Sequence, residues 1–179
     1  MSLGAELKAL FPGAVGAVRQ DPPFEIVTVT DKGAIVSIAS FLKASKGFNA
    51  LMDLTAVDYL GYRSAPRAAR FELVYYFFSF SRKARIRLLV PVPDSDAVVQ
   101  SLTPLYGSAN WLEREAWDMY GIRFAGHPDP RRLLLYEEFS GHPLRKDYAL
   151  TRQQPRVAQI FPGVPPFGAK PAVLKPGEP

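Results

Sequence analysis

The 179-residue chain contains no cysteine and only two histidines. Without thiols it forms no disulfide, offers zinc no thiolate ligand and binds no iron–sulfur cluster through its own cysteines. Any redox centre that works with this chain must therefore belong to another molecule. The lack of cysteine also suits a reducing compartment.

Long apolar runs are missing as well. A helix that crosses a bilayer needs about 20 predominantly apolar residues, and no stretch of the sequence approaches that length. The N-terminus, where Glu6 and Lys8 stand among small and apolar residues, has the form of neither a signal peptide nor a transit peptide. The sequence therefore predicts a soluble or peripheral protein.

The composition is that of one ordinary globular domain followed by a tail. Hydrophobic residues make up 47% and charged residues 22%. The net charge of +5 would suit an anionic partner such as nucleic acid or lipid headgroups. No segment resembles a basic arm, however, and neither a recognition helix nor an aromatic-basic sheet motif is present. We therefore expect no nucleic-acid binding.

Residues 1–150 predict an α+β domain, a mainly antiparallel β-sheet of about 4–5 strands with helices packed on one face. Residues 3–10 and 40–46 favour helices, the second ended by Gly47. Residues 26–30 and 34–38 flank Asp31-Lys32-Gly33 and predict a hairpin. Further strands are expected over residues 51–59, 71–80 and 84–92.

The run 71–78 is apolar at almost every position, as expected of an interior strand covered on both faces. Its aromatic residues are interpreted as core, because no Lys or Arg is interleaved among them as in a sheet that stacks nucleobases. Asp53 and Asp58 lie five apart in one strand and so point to opposite faces, which argues against a paired-carboxylate site.

A helix is expected to begin at Trp111 and to end at Gly121. Asn110 and Glu113 have the spacing of a capping box at its start. Arg114 and Asp118 are four apart, which allows an ion pair within the helix. If this helix is buried in an assembly, its charges need partners, because an unpaired buried charge is costly.

Both histidines lie in the tripeptide Gly-His-Pro, at residues 126–128 and 141–143. Glycine permits a sharp turn and proline fixes the backbone after the histidine, so each imidazole is held at a rigid bend. Such a histidine can bind a metal, transfer protons or hydrogen-bond to a neighbouring segment. A metallohydrolase using His127 and His142 with Asp129 or Asp147 is disfavoured, because the histidines lack the i, i+4 spacing of a helical metal site.

Residues 113–148 resemble the C subunit of the proton-pumping NADH:quinone oxidoreductase, the 30 kDa subunit family of respiratory complex I. The resemblance rests on an ordered set of residues with fixed spacing: Glu113-Arg114-Glu115, Asp118, Gly121, Phe124-x-Gly126-His127-Pro128 and Phe139-x-Gly141-His142-Pro143-Leu144-Arg145-Lys146-Asp147-Tyr148. The upstream residues 53–59 are similar to the family too. Pro130 and Ala149 depart from its pattern, and both are expected in loops.

The resemblance implies a subunit with no catalytic residue and no cofactor of its own. The iron–sulfur clusters and FMN would belong to partner subunits. It would lie on the cytoplasmic side of the cell membrane, against the D-like large quinone-site subunit and the B- and I-like iron–sulfur subunits. Interface roles would then fall to Glu113, Arg114, Glu115, Asp118, His127, His142, Arg145, Lys146 and Asp147. The equivalent subunit of a membrane-bound hydrogenase or a ferredoxin-linked complex is the alternative.

Residues 151–179 contain seven prolines and few apolar anchors, among them Phe161 and Phe167. Local burial of so few anchors does not offset the entropy of ordering this segment. Proline favours extended docking over independent folding. We therefore expect a strap that lies along the partner subunit, with Phe161 and Phe167 in the interface.

Overall fold

The computed structural model describes residues 2–64, 67–151 and 153–154. They form three helices and seven strands, in the order α1 (Leu3–Leu10), β1 (Val15–Asp21), β2 (Phe24–Val29), α2 (Ile35–Lys46), β3 (Ala50–Asp58), β4 (Phe71–Ser79), β5 (Ala84–Val92), β6 (Val98–Gln100), α3 (Ala109–Tyr120) and β7 (Arg123–Ala125). Short 3₁₀ turns precede α2 and follow β5.

Five strands form one sheet in the order β1-β2-β5-β4-β3. Three neighbouring pairs are antiparallel, and β2 pairs with β5 in parallel, with Val27 opposite Leu88. The short strands β6 and β7 form a separate parallel pair. The α+β class and the mainly antiparallel sheet predicted from the sequence are confirmed, whereas the strap falls outside the described residues apart from 151 and 153–154.

All three helices contribute to one core against the same face of the sheet. Every second residue of β4, from Phe71 to Ser79, is buried there. The helices add the buried side chains Leu7, Ile35, Ile38, Leu42, Ala109 and Ala116 to the same hydrophobic cluster. Among the described residues, no helix is long and apolar enough to span a membrane.

The predicted hairpin around Asp31-Lys32-Gly33 is wrong. The Asp31 carboxylate accepts a hydrogen bond from the backbone N–H of Gly33 and starts a 3₁₀ turn, which continues directly into α2 at Ile35. Residues 35, 38, 39 and 42 are the buried ones, and this is helical rather than strand spacing. The β-branched residues of 35–38 misled the strand prediction. The helix ends at Gly47 as expected, with φ of 72°.

The actual hairpin lies earlier, between β1 and β2, and turns at Pro22-Pro23. Strand β1 was missed because it is an edge strand with mostly exposed or half-buried residues, so its hydrophobic alternation is weak. The three strands predicted over residues 51–92 are confirmed within one residue at each end.

The second face of the sheet differs from the prediction for β4. Val74, Tyr76 and Phe78 point away from the helices and are only half-buried. Among the described residues no helix packs on that face. The expectation that β4 is covered on both sides is therefore wrong, and this face of the sheet is partly open.

Candidate functional site

Residues 111–150 include the stretch that resembles the 30 kDa subunit family, and we call them the docking segment after the interface role that this resemblance implies. They comprise most of α3, the short strand β7 and a long irregular stretch. Few of the residues after β7 have regular secondary structure. Side chains of α3 and of the sheet must therefore supply the hydrogen bonds that fix this stretch. Asp118 and Asp58 do so, and a third carboxylate, Glu113, fixes the helix that carries Asp118.

Glu113 connects α3 to the turn that follows β6. Its carboxylate accepts hydrogen bonds from the Ser101 hydroxyl at 2.6 Å and from the backbone N–H of Leu102 at 2.7 Å. The predicted capping box is therefore wrong: the helix begins at Ala109, and Glu113 bonds across to another element instead of back to Asn110. The sequence spacing was right for a box, but the carboxylate is buried against the β6 turn.

Glu113 has no exposed surface. Burial raises its pKa to about 7, although the bonds from Ser101 and Leu102 act in the opposite direction. The buried Tyr75 hydroxyl, which has no hydrogen-bond partner in the described residues, has its pKa raised by burial and by the charge of Glu113. Glu113 is thus a buried carboxyl group that titrates near neutral pH.

His127 fixes the first Gly-His-Pro turn. Its Nδ1 accepts the backbone N–H of Asp129 at 3.0 Å, so Nε2 carries the proton and donates to the carbonyl of Asn110, also at 3.0 Å. Glu113 Oε2 lies 4.0 Å from Nε2. Because both ring nitrogens bond backbone groups, no lone pair of His127 is left for a metal.

A largely apolar cavity of about 460 Å³ opens beside this turn, between α3 and β7. Trp117, Phe124 and Pro130 form part of its wall, and Glu113 and His127 lie at its edge. The cavity therefore places apolar surface next to Glu113, which connects α3 to the turn after β6, and next to His127, which connects the first Gly-His-Pro turn to α3.

Asp118 fixes the stretch that links the two Gly-His-Pro turns. One carboxylate oxygen accepts Arg132 at 2.6 Å, and the other accepts the backbone N–H groups of residues 133, 134 and 135 at 2.9–3.1 Å. Burial alone would raise the pKa of Asp118, but these four donors outweigh it and hold the pKa below its ordinary value. Arg132 also donates to the carbonyls of Phe139 and Gly141.

The predicted ion pair between Arg114 and Asp118 is therefore wrong. Arg114 reaches in the other direction, to the carbonyls of Arg131 and Arg132 and to Asp129. Both side chains are used to hold the irregular stretch rather than to stabilise the helix. An intrahelical ion pair stabilises a helix only weakly. Leaving the backbone groups of a partly buried loop without hydrogen bonds costs more free energy.

The second Gly-His-Pro turn packs against the end of α3. His142 Nδ1 donates to the carbonyl of Asp118 at 3.0 Å. Its ring lies so close to Gly121 that a Cβ added there would come within 2.7 Å of it. Gly121 also has φ of 79°, so glycine is required both by the backbone and by the approach of His142.

Asp58, at the end of β3, fixes the rest of the segment. Arg70 donates to both of its carboxylate oxygens, at 3.1 and 2.9 Å, and the backbone N–H of Lys146 donates to one of them at 2.9 Å. Arg70 extends to Asp94 and Asp147, and Arg145 contacts the same two residues. We call Asp58, Arg70, Asp94, Arg145 and Asp147 the charged clasp.

The electrostatics of the charged clasp favour its ionised form. Burial alone would raise the pKa of Asp58, but Arg70 and the N–H groups of Lys146 and Leu60 lower it overall. The hydrogen bond from Arg70 lowers the pKa of Asp147 to about 2. The bonds to Asp58 and Asp147 in turn raise the pKa of Arg70. Sequence reasoning missed this role of Asp58 and Arg70, because Arg70 and Lys146 lie 12 and 88 residues away from Asp58.

The residues expected at an interface divide into two groups. Glu113 and Asp118 are buried, and Arg114, His127, His142 and Arg145 are half-buried with contacts inside the chain; Glu115, Lys146 and Asp147 are exposed. Phe161 and Phe167 lie outside the described residues. The docking segment also exposes large apolar side chains that the sequence analysis did not assign to the interface: Trp111, Leu134, Tyr136, Leu144 and Leu150.

Among the residues that the structure describes, no group of three or more His, Asp or Glu side chains is placed to hold a metal ion. Asp129 pairs with Arg131, and Asp147 belongs to the charged clasp. The geometry is that of a rigid surface held from within by buried charges.

Comparison with known proteins gives the family. Residues 28–154 match the family described as respiratory-chain NADH dehydrogenase, 30 Kd subunit. The chain belongs to this family. The C subunit of the NADH-quinone oxidoreductase of Trichlorobacter lovleyi is 48% identical over 145 residues, which are 81% of this chain and 86% of the relative. The C subunit of the Caulobacter vibrioides enzyme is 44% identical over 152 residues, 83% of this chain and 73% of the relative.

Solved structures agree with this 30 kDa subunit family. The trypsin-resistant fragment of Nqo5 superposes with a TM-score of 0.63 at 32% identity, covering 72% of this chain and 99% of the fragment. A chain of the archaeal membrane-bound sulfane sulfur reductase, a respiratory membrane complex, superposes with a TM-score of 0.64 at 21% identity, over 82% of this chain and 84% of its own length. The second likeness shows a shared fold.

Proposed function

We propose that this chain is a cofactor-free hydrophilic subunit of the peripheral arm of a proton-translocating NADH:quinone oxidoreductase. It docks on the large quinone-site subunit and its B- and I-like iron–sulfur neighbours, on the cytoplasmic side of the membrane. Those partners carry the iron–sulfur clusters and FMN, and this chain contributes shape and contacts rather than catalytic groups.

The observation that carries the proposal is the contrast between the inside and the outside of the docking segment. Inside, Asp118 and Asp58 accept hydrogen bonds from the irregular stretch, and Glu113 holds α3 to the turn after β6. Outside, Trp111 and Leu134 are 61% and 63% exposed. Rigid exposed aromatic and aliphatic anchors are typical of interfaces, because little entropy is lost when they bind.

In this proposal the buried members of the expected interface set act indirectly. Glu113, Asp118, His127 and His142 position the surface, while Glu115, Lys146 and Asp147 contact the partner. The strap, residues 151–179 with Phe161 and Phe167, continues the interface beyond the described residues. The equivalent component of a hydrogenase-like or ferredoxin-linked complex is a weaker candidate, because the relatives at 41–48% identity are C subunits of NADH-quinone oxidoreductases.

The test is assembly of the whole complex with variants of the docking surface. Trp111→Glu and Leu134→Glu place a charge in the contact and should lower the amount of assembled complex by on the order of tenfold or more. Leu10→Glu is the matched control, since Leu10 is similarly exposed on α1. Blue native electrophoresis of gently solubilised membranes measures the assembled fraction.

A second pair of variants separates assembly from catalysis. His142→Ala and Arg145→Ala should lower the amount of complex more than they lower NADH oxidation per assembled complex. Unchanged assembly with reduced turnover would contradict the proposal and favour a catalytic role. Recovery of the tagged wild-type chain without iron–sulfur and large hydrophilic subunits would also overturn it.

A further inference from the structure

The face of the sheet opposite the helices carries a cluster of aromatic and basic side chains near the β4–β5 turn. On the three central strands, β2, β4 and β5, the register places Phe24 beside Arg85, Arg85 beside Phe78, and Arg87 beside Tyr76. Phe80 follows β4 at the same end and is 65% exposed. We call this cluster the open sheet face: Phe24, Tyr76, Phe78, Phe80, Arg85 and Arg87.

The side chains of the open sheet face support one another. The Arg87 guanidinium lies 4.4 Å from the centroid of the Phe24 ring, and that of Arg85 lies 5.4 Å from the Phe78 ring. Phe24 meets Tyr76 edge to face, as Phe78 meets Phe80. Stacking restricts each guanidinium and leaves its N–H groups available at the edges, which prepares it to bind a carboxylate.

The charge of this region is positive. Arg82 and Lys83 form the adjoining turn, and together with Arg85 and Arg87 they make no ion pair with any residue that the structure describes. Asp21 and Asp53 lie on the outer strands, opposite Phe24 and Tyr76. The four cations thus outnumber the flanking carboxylates.

We propose that the open sheet face binds an acidic segment of a neighbouring protein subunit. Carboxylates of that segment pair with Arg85 and Arg87, and an apolar side chain packs on Phe80. The combination of exposed aromatic and arginine residues is the composition enriched in protein interfaces. This inference rests on the proposed function, because it assigns a second contact surface to the same assembled complex.

Other anionic partners fit the geometry less well. Nucleobases bind by stacking on free ring faces, whereas arginines lie over the rings of Phe24 and Phe78. An anionic membrane would gain one exposed ring, that of Phe80, because the other aromatic rings of this face are half-buried. An acidic protein segment uses both the guanidinium edges and the exposed ring.

The experiment is photo-crosslinking in the intact complex. Phe80 is replaced by p-benzoylphenylalanine in the full chain, and the crosslinked peptide is identified by mass spectrometry after purification. The expected product is a peptide of another subunit rich in Asp and Glu. Adding Arg85→Glu should lower the yield about threefold to tenfold through charge reversal, while Lys8→Glu, an equal reversal on exposed α1, should leave it unchanged.

A parallel crosslinker at Trp111 separates this inference from the proposed function. Crosslinks from Trp111 but none from Phe80 would overturn the open sheet face as an interface and leave the docking segment intact. A Phe80 crosslink to lipid, to nucleic acid or to a peptide without acidic residues would also contradict it. If the purified complex is found to assemble without the wild-type chain, both proposals fail.

Discussion

Two buried carboxylates of α3, Glu113 and Asp118, are stabilised in opposite ways. Asp118 receives a guanidinium and three backbone N–H groups, which keep it ionised. Glu113 receives two neutral donors and no cation in direct contact, so burial dominates and its pKa rises to about 7. The same residue class therefore makes opposite contributions to the pH dependence of stability.

Glu113→Gln should be more stable than the wild type above pH 7 and almost equally stable near pH 5. Because the folded pKa lies above the ordinary 4.5, the native state binds more protons, and stability falls as pH rises from about 4.5 through 7. The free energy of unfolding falls by roughly 3 kcal/mol in total over this range. Glutamine does not ionise, so the variant avoids this loss. Urea unfolding at pH 5 and pH 8 measures the difference.

Glu115→Gln is the control, since Glu115 is exposed on the same helix. Its stability should follow the wild type at both pH values. An equal loss of stability at pH 5 and pH 8 in Glu113→Gln would contradict the neutral, buried form of the carboxyl group.

Asp118→Asn should destabilise the protein by about 2–4 kcal/mol, because it leaves Arg132 without its carboxylate and puts an amide N–H₂ close to backbone donors. Asp129→Asn should cost much less, since Arg131, which makes the shortest ion pair with Asp129, is exposed. Urea unfolding at pH 7 compares the two variants. Similar losses would contradict the role given to Asp118.

At the scale of elements, the charged clasp joins four separate parts of the chain. It ties the end of β3 to the start of β4, to the turn after β5 and to residues 145–147. A docking segment with few regular hydrogen bonds thereby gains a fixed position relative to the sheet.

Arg70→Ala should release residues 141–148 from the sheet. Without Arg70 the buried Asp58 is left with only backbone donors, a situation that typically costs about 3–5 kcal/mol. Hydrogen exchange of the amides of residues 142–148 should accelerate. Arg67→Ala is the neighbouring control, because Arg67 stacks on Tyr59 and makes no ion pair in the described chain. Equal exchange in both variants would contradict the clasp.

The charged clasp also predicts how the stability of the fold falls at low pH. The pKa values of Asp58 and Asp147 are below their ordinary values in the folded state, so their stabilisation is present above about pH 4 and is lost as pH falls towards 2. Acid unfolding of the wild type should therefore be steeper below pH 4 than that of Arg70→Ala. Parallel acid titrations of both proteins, followed by circular dichroism, check this.

Elements could be predicted where local pattern and tertiary environment agree. Strand β4 is rich in aromatic residues and β5 in aliphatic ones. Both lie in the interior of the sheet, so their bounds were found. Helix α2 was partly misread because Ile35, Val36 and Ile38 favour strands locally, while their helical spacing buries them. Glu113 fits a capping box in sequence, and only the position of the β6 turn decides its real partner.

On the scale of the whole molecule, the family followed from short motifs, whereas the roles of individual charges did not. The spacing of Gly-His-Pro and of the acidic residues identifies the family. Whether a charge points inward or outward depends on contacts such as Arg70 with Asp147, 77 residues apart. Six of the nine expected interface residues within 111–150 are buried or half-buried in the chain for this reason.

Removal of residues 155–179 should leave the isolated chain folded and prevent stable assembly. The strap has too few apolar anchors to fold alone, so its contribution arises in the partner contact. Amide exchange of the isolated wild-type chain should show fast exchange over residues 155–175, and the assembled complex should show slow exchange there. Strong protection in the isolated chain would contradict the strap.

Because β2 pairs in parallel with β5, the fold includes residues that precede the family match. The family match begins at residue 28, yet α1, β1 and most of β2 come earlier, and β2 covers one edge of β5. A chain cut near residue 30 would keep the whole docking segment and still expose a long apolar strand edge to any other copy. Strand edges of this kind recruit further strands, so the shortened protein would be expected to self-associate before it could reach its complex.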